Sequence, residues 1–382
     1  MSSRTVDVVA SGPPSSDPYD PAQPAWGLAG ALAARGDTVV VLHPAGPPGG
    51  PPPTGTAAVA VEIPLRRPGA PVEAADYAAA AARKVRKDVD VVLRDPAGLG
   101  RLGLRRSRGE GPILAAFVRG IEIDSFERER GGRPPAGFRD RLDTWRDRRA
   151  VRRLEQAALQ EADRLFYDAA GVPSDLLKKY GIPERRCHAA LPPVAPVPML
   201  MTREEARASF RIPADVPVVV APAAFEQPEP SGIDRARQAF RRVRSFFPGA
   251  RLIVVGVSAP TEPGVAVAPE RDAGTFGRAL SAADVAVFDR RVPGFDPGVV
   301  LALRAGRCVI VGPNVRLPVD PSEALRTVVS DDPGEFASVL AEVLADPAVR
   351  RALTATGTRY AGAFDPARVA EVVAAATLPT VA

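Results

Sequence analysis

The chain is poor in the residues that metal sites and disulfides need. Its 382 residues include 2 cysteines and 2 histidines. Cys187 and Cys308 stand far apart, which argues against a disulfide framework and for a reducing compartment. His43 and His188 are isolated, whereas a metal site needs three or four clustered ligands, so no metal is expected. Aromatic residues make up 5% of the chain. No helix-turn-helix, zinc or aromatic-platform signature is present, so nucleic acid is not an expected partner. No apolar run approaches ~18 residues, so no segment is expected to span a membrane. The chain passes from Met1-Ser-Ser-Arg directly into an apolar strand, without the apolar core of a signal peptide. A cytoplasmic location is the expectation. Walker loops, nucleophile elbows and Ser/His/Asp sets are likewise missing.

What is present is a globular composition. Hydrophobic residues reach 46%, enough to fill two cores, and the length points to two domains. The 42 prolines and 33 glycines punctuate loops, and net charge is +5. Apolar runs and helical periodicities alternate along the first half. Strands are expected over Val6 to Ala10, Thr38 to Leu42, Ala57 to Val61, Val89 to Leu93, Ile113 to Val118 and Arg164 to Tyr167. Helices fall between them, including a long charged one over about Arg139 to Glu161. LPPVAPVP, Leu191 to Pro198, reads as an extended linker. A second series follows, with strands at Val216 to Val220, Leu252 to Val255, Val265 to Val267, Val285 to Phe288, Cys308 to Val311 and Thr327 to Val329. Such βαβ alternation predicts parallel, doubly wound sheets with ligands at the carboxyl ends of the strands.

The stretch Ala283 to Gly312, ADVAVFDRRVPGFDPGVVLALRAGRCVIVG, carries the most information. It reads as strand, loop, helix, turn and strand. Asp296 is the expected N-cap, Pro297 the first helical residue and Gly306 the terminator. This stretch resembles the nucleotide-sugar donor signature of retaining GT-B glycosyltransferases of the large family four. WGLAGALAARGDTVVVL and RRLEQAALQEADRLFYDAAGVPSDLLKKYGIPERRC resemble the same family elsewhere, as does DDPGEFASVLAEVLADPAVRRAL.

The resemblance implies an α/β GT-B fold of two Rossmann-like domains facing a cleft, with a C-terminal helix returning to the N-terminal domain. It sets an acceptor-side domain at 1–190, a linker at 191–199, a donor-side domain at 200–359 and a C-terminal helix and tail at 360–382. It implies no cofactor and no metal. The donor would be a nucleotide-sugar, its diphosphate resting on Gly298 and Val299, with Gly12, Ser231, Gly232 and Asp296 as further donor-binding candidates. In the stretch AFVRGIEID, Arg119 stands where the family often has histidine and Glu122 keeps the family's acid, so both are catalytic candidates.

The family's chemical landmarks are altered. Its two signature glutamates fall on Pro293 and Leu301, its phosphate-binding lysine on Ser231 and its arginine on Phe225 or Glu226. Two readings therefore stand: a transferase of sugars from nucleotide-sugars to an unknown acceptor, and a silent GT-B pseudoenzyme that partners or regulates a true glycosyltransferase. An active enzyme with an unusual donor is a third. Asp296 itself reads either as a simple cap or as an internal surrogate for the phosphate, filling the anion site of its helix. Arg119 reads as an anion ligand or as a partner of Glu122 or Asp124. Residues Arg101 to Arg153 hold 15 arginines against 8 acids, net +7. That segment, with Trp145 in it, is compatible with a solvated helix or with peripheral contact to an anionic membrane.

Overall fold

The computed structural model describes residues 3–15, 17, 20, 22–45, 58–63, 71–95, 101–104, 111–119, 138–168, 172–196, 201–222, 231–257, 262–290, 295–321 and 323–378. The chain divides into two compact units. One comprises Met1–Ser15, Pro21–Pro193 and Pro366–Ala382, the other Ser16–Asp20 and Val194–Asp365.

The first unit is built on a seven-stranded sheet. Its strands are β1 (Thr5–Ala10), β2 (Thr38–Pro44), β3 (Val59–Ile63), β4 (Val91–Asp95), β5 (Ile113–Val118), β6 (Arg164–Tyr167) and β7 (Cys187–Ala189). They are ordered β3-β2-β1-β4-β5-β6-β7 and every pairing is parallel. The order reverses between β1 and β4, so these two strands flank the switch point where open α/β sheets form their crevice. Helices α1 (Gln23–Ala34), α2 (Pro71–Ala82), α3 (Phe138–Glu161) and α4 (Val172–Tyr180) lie between the strands. Two strands sit later than the periodicity predicts. β4 starts at Val91 because the Asp90 carboxylate turns back and accepts the Thr5 amide at 2.7 Å. β3 runs two residues past the expected end, its Ile63 buried under Tyr77 and Ala78.

The second unit holds β8 (Val218–Pro222), β9 (Arg251–Val255), β10 (Val265–Ala268), β11 (Val285–Phe288), β12 (Cys308–Val311) and β13 (Arg326–Thr327). Their order is β10-β9-β8-β11-β12-β13, again all parallel, with the switch between β8 and β11. Its helices are α5 (Arg203–Ser209), α6 (Ser231–Val243), α7 (Ala273–Ala282), α8 (Pro297–Arg304), α9 (Pro333–Ala345) and α10 (Pro347–Ala361). Helix α5 is opened by a capping box between Thr202 and Glu205. β8 begins later than expected because Asp284 accepts the Val218 amide at 2.8 Å, while the Val216 carbonyl is tied to Arg207. Phe240 of α6 and Phe336 of α9 fill the core on one face of this sheet.

The last helix, α11 (Pro366–Ala376), belongs to the first unit. Val369, Ala370 and Val373 enter the same core cluster as Trp26 and Leu28 of α1. Its carboxyl end is held by cations: Arg4 donates to the Ala374 carbonyl and Thr377 hydroxyl, and Arg164 to the Ala376 carbonyl. Cations at that end also suit the helix dipole. The C-terminal helix therefore returns to the N-terminal unit.

Candidate functional site

Both units present charged side chains at the carboxyl ends of their central strands. Each set grows from one sequence habit, an apolar strand closed by an ionisable residue: VVLRD, ILAAFVR, RLFYD and VAVFDR. The apolar run is buried in the sheet, and the first residue beyond it is the first free to reach out of the edge.

In the first unit these residues are Asp95, Arg119 and Asp168, on neighbouring strands. Arg119 meets Asp95 with two parallel hydrogen bonds, Nε to Oδ1 at 3.0 Å and Nη2 to Oδ2 at 2.6 Å. Its guanidinium also stacks 4.3 Å above the Phe117 ring. The pair is geometrically strong, being bidentate and charge-assisted, with Asp95 buried. Asp95 is thus the partner of Arg119, a residue that sequence reasoning did not single out; Glu122 and Asp124 lie outside the described residues. Asp168 completes the set. Burial pushes its carboxyl up to about 6, opposed by the charge of Arg119 and reinforced by that of Asp95. Gly12 follows β1 beside this group, its carbonyl accepting the Trp26 Nε1–H at 3.2 Å. An added Cβ at Gly12 would touch only the Ala22 methyl at 3.4 Å, so nothing there demands glycine.

In the second unit Asp289 and Arg290 close β11. Asp289 is buried and lies 2.7 Å from Arg235 Nε, which reaches over from α6 and also pairs with Asp331. Burial raises the Asp289 carboxyl to about 6 despite Arg235, and Asp331 adds to the rise. Arg290 is buried as well. Its Nη1 donates to the Phe295 carbonyl at 3.0 Å and stands 4.0 Å from the Asp296 carboxylate. Its own carbonyl accepts from Asn314 at 2.9 Å.

Asp296 caps α8 as the sequence predicts. Its backbone is extended, Pro297 follows, and its Oδ1 accepts the Gly298 amide at 2.9 Å. The Val299 amide bonds to the Asp296 carbonyl at 3.2 Å. The start of α8 already holds a buried carboxylate with a buried arginine behind it. Leu301 is packed in the core and cannot replace the family's second glutamate as a hydrogen-bond acceptor. Ser231 and Gly232 open α6, the helix that carries Arg235 one turn later. Phe225, Glu226 and Pro293 lie outside the described residues. The cations that sequence reasoning missed, Arg235 and Arg290, could have been suspected from position alone. One sits a turn beyond the family's lysine, and the other immediately follows β11.

His43 and His188 stay apart on β2 and β7, and among the described residues no cluster of three His, Cys, Asp or Glu could hold a metal ion. No helix among them is long and apolar enough to cross a membrane.

Two parallel, doubly wound units with charged carboxyl edges and a returning C-terminal helix define the GT-B fold. Solved structures of that fold match the whole chain. Sucrose-phosphate synthase from Thermosynechococcus elongatus aligns with a TM-score of 0.69 at 17% identity, over 97% of this chain and 98% of that one. WaaG, a glycosyltransferase involved in lipopolysaccharide biosynthesis, aligns at 0.69 and 16%, over 99% and 100%. Anabaena HepE, solved with UDP-glucose, aligns at 0.66 and 12%, over 97% and 98%. No family model matches the sequence. No curated protein matches it either.

Proposed function

We propose that the chain is a glycosyltransferase that moves a sugar from a nucleotide-sugar donor to an acceptor. One observation carries this reading: the whole chain matches GT-B glycosyltransferases end to end, including one solved with UDP-glucose. The strand-edge charges are consistent with it. In this reading the N-terminal domain, residues 1–190, serves the acceptor, and residues 200–359 serve the donor across the linker 191–199. The donor diphosphate rests on the α8 amides of Gly298 and Val299, next to Arg290, and Gly12, Ser231 and Gly232 are further donor-binding residues. Arg235 and Arg290 take over the charge of the family's missing lysine and arginine. Asp296 must yield its place to the phosphate, so donor binding starts against an internal competitor. Arg119 and Glu122 serve the reacting sugar or acceptor, and transfer proceeds with retention and without a metal.

Calorimetry with UDP, GDP and their sugars tests this reading. Micromolar binding of one of them is expected. Silence with all of them would sink it and favour the pseudoenzyme, a partner of another glycosyltransferase.

A cytoplasmic, membrane-peripheral location completes the proposal. Trp145 is 54% exposed on α3 with Arg149 stacked 5.2 Å from its ring, and Arg152 and Arg153 are exposed on the same helix. A bulky aromatic ring among arginines suits the interface of an anionic bilayer. Trp145→Ala is expected to weaken cosedimentation with phosphatidylglycerol vesicles; equal sedimentation of both proteins would refute this contact.

A further inference from the structure

Helix α8 is fastened at both ends to the same two chain segments. Apart from Ser16–Asp20, the second unit begins at Val194 and ends at Asp365. These two boundary segments are joined directly, the Val194 amide donating to the Phe364 carbonyl at 3.0 Å. At the carboxyl end of α8, Arg304 bridges them again. Its Nη1 donates to the Val194 carbonyl and its Nη2 to the Ala361 carbonyl, the latter at 3.3 Å. At the amino end, Phe295 immediately precedes the Asp296 cap. Its ring stacks on Phe364 with centroids 6.0 Å apart and planes 9° from parallel. Phe364 is fully buried, and Tyr360 packs on it as well, at 5.4 Å. All of these contacts lie within the second unit.

Helix α8 also sits tightly on α10. A Cβ built on Gly357 would come within 2.6 Å of Leu303 Cδ2 and 3.0 Å of the Ala324 carbonyl. Thr358 Oγ1 donates to the Leu303 carbonyl at 3.2 Å. The helix has 8 residues. At that length it spans only ~12 Å, so a shift at one end reaches the other as a rigid displacement. Arg304 is a costly residue to place at such a spot. Burial lowers its pKa, with the charge of Asp365 opposing the shift. A partly buried guanidinium needs acceptors for its donors, and here it finds one carbonyl from each boundary segment.

We infer that Arg304 is a positioning residue for α8: together with the Phe295–Phe364 stack, it couples the amino end of the helix to the Val194 and Phe364 segments. The inference rests on the donor reading of α8 and adds the control of that site. A diphosphate on the Gly298 and Val299 amides takes the place of the Asp296 carboxylate. The resulting shift of the first turn is carried by Phe295 to Phe364 and by Arg304 to Val194. Linkage is reciprocal, so loosening either segment weakens the hold on the donor.

The test is hydrogen exchange, read by mass spectrometry on the full chain. Proline lacks an amide N–H, so between Pro193 and Pro196 only Val194 and Ala195 report. Without nucleotide, Arg304→Met is expected to speed exchange about fivefold or more, both at Val194 and in the first turn of α8. Phe295→Ala should also speed exchange at Val194, although its ring packs on Phe364. Arg304→Lys keeps the charge but cannot fork across two carbonyls, and should fall between wild type and Arg304→Met. Phe240→Leu is the control for plain destabilisation, because Phe240 lies in a core cluster to which no residue of α8 belongs. Brought to equal stability with urea, it should speed exchange through that core without singling out the two ends of α8. Faster exchange at only one end in Arg304→Met, or the same profile in Phe240→Leu, would overturn the inference. UDP separates the coupling from the donor reading. In the wild type UDP should slow exchange at Val194, and Arg304→Met should lower UDP affinity about fivefold by calorimetry. UDP silent beside correlated exchange at the two ends would sink the donor reading and spare the coupling. UDP binding with Val194 unmoved, or with unchanged affinity in Arg304→Met, would overturn the coupling and spare the donor reading.

Discussion

The carboxylate of Asp289 lies directly over Gly312. A Cβ built on Gly312 would come within 2.1 Å of Asp289 Oδ1, far inside contact distance. The missing side chain at the end of β12 is therefore what lets a buried acid sit at the end of β11 and meet Arg235.

Gly312→Ala is expected to push Asp289 off Arg235 and to destabilise the second unit by about 1–3 kcal/mol, as overpacking of a tight site does. Since the clash is with one side chain, Asp289→Ala in the same chain should absorb much of the cost. Chemical denaturation of the two single variants and the double should show non-additivity above about 0.5 kcal/mol. Strict additivity would mean that the two residues do not touch.

Asp296→Asn should keep the cap of α8, because asparagine caps as well as aspartate does, while removing the charge that competes with a phosphate. UDP affinity by calorimetry is expected to rise about two- to fivefold, the scale of one charge at a helix terminus. Asp296→Ala should instead lose about 1–2 kcal/mol of stability. No gain in affinity for the asparagine variant would refute the view that Asp296 stands in for the phosphate.

Asp168 and Asp289 make stability depend on pH in a fixed direction. Each carboxyl is raised from 3.8 to about 6 in the folded chain. The folded state thus holds these protons more tightly than the unfolded one. The resulting stabilisation is full below about pH 4 and fades as pH rises through 6. Each shift corresponds to at most about 3 kcal/mol. Denaturant midpoints of the wild type should fall more steeply between about pH 4 and pH 7 than those of Asp168→Asn or Asp289→Asn. Parallel curves would remove both groups from the account.

Val373→Asp should unfold the first unit selectively. Val373 is 2% exposed in the core that includes Trp26. An unpaired carboxylate there costs of order 3 kcal/mol or more. The expected readout is a red shift of tryptophan emission at temperatures where the wild type is unchanged. An unshifted melting curve would argue that α11 contributes little to this unit.

Much of the fold was legible in the residues because burial writes a pattern. VAVF and CVIV, bounded by turn residues and rich in β-branched side chains, read as fully buried strands, and Asp296-Pro297 reads as a helix start. The boundaries that moved did so where a side chain intervened. Asp90 and Asp284 capture backbone amides and delay β4 and β8, and no local periodicity encodes that. Gly12 shows the opposite limit: at a glycine in a familiar place an added Cβ would make only an ordinary contact with Ala22.

The sequence by itself determined the parallel α/β architecture and the cap at Asp296, since these follow from periodicity, apolar runs and local hydrogen bonding, while the returning last helix was implied by the family resemblance. Only the tertiary structure decided the partners of the charges. Asp95 lies 24 residues from Arg119 along the chain, and Arg235 lies still further from Asp289. Asp95 meets Arg119 because parallel strands bring their carboxyl ends to one edge of a sheet, and Asp289 meets Arg235 because helix α6 packs beside that edge in the second unit. Sequence spacing carries no record of that meeting, and burial at the edge is what turns an ordinary aspartate into one that titrates near 6.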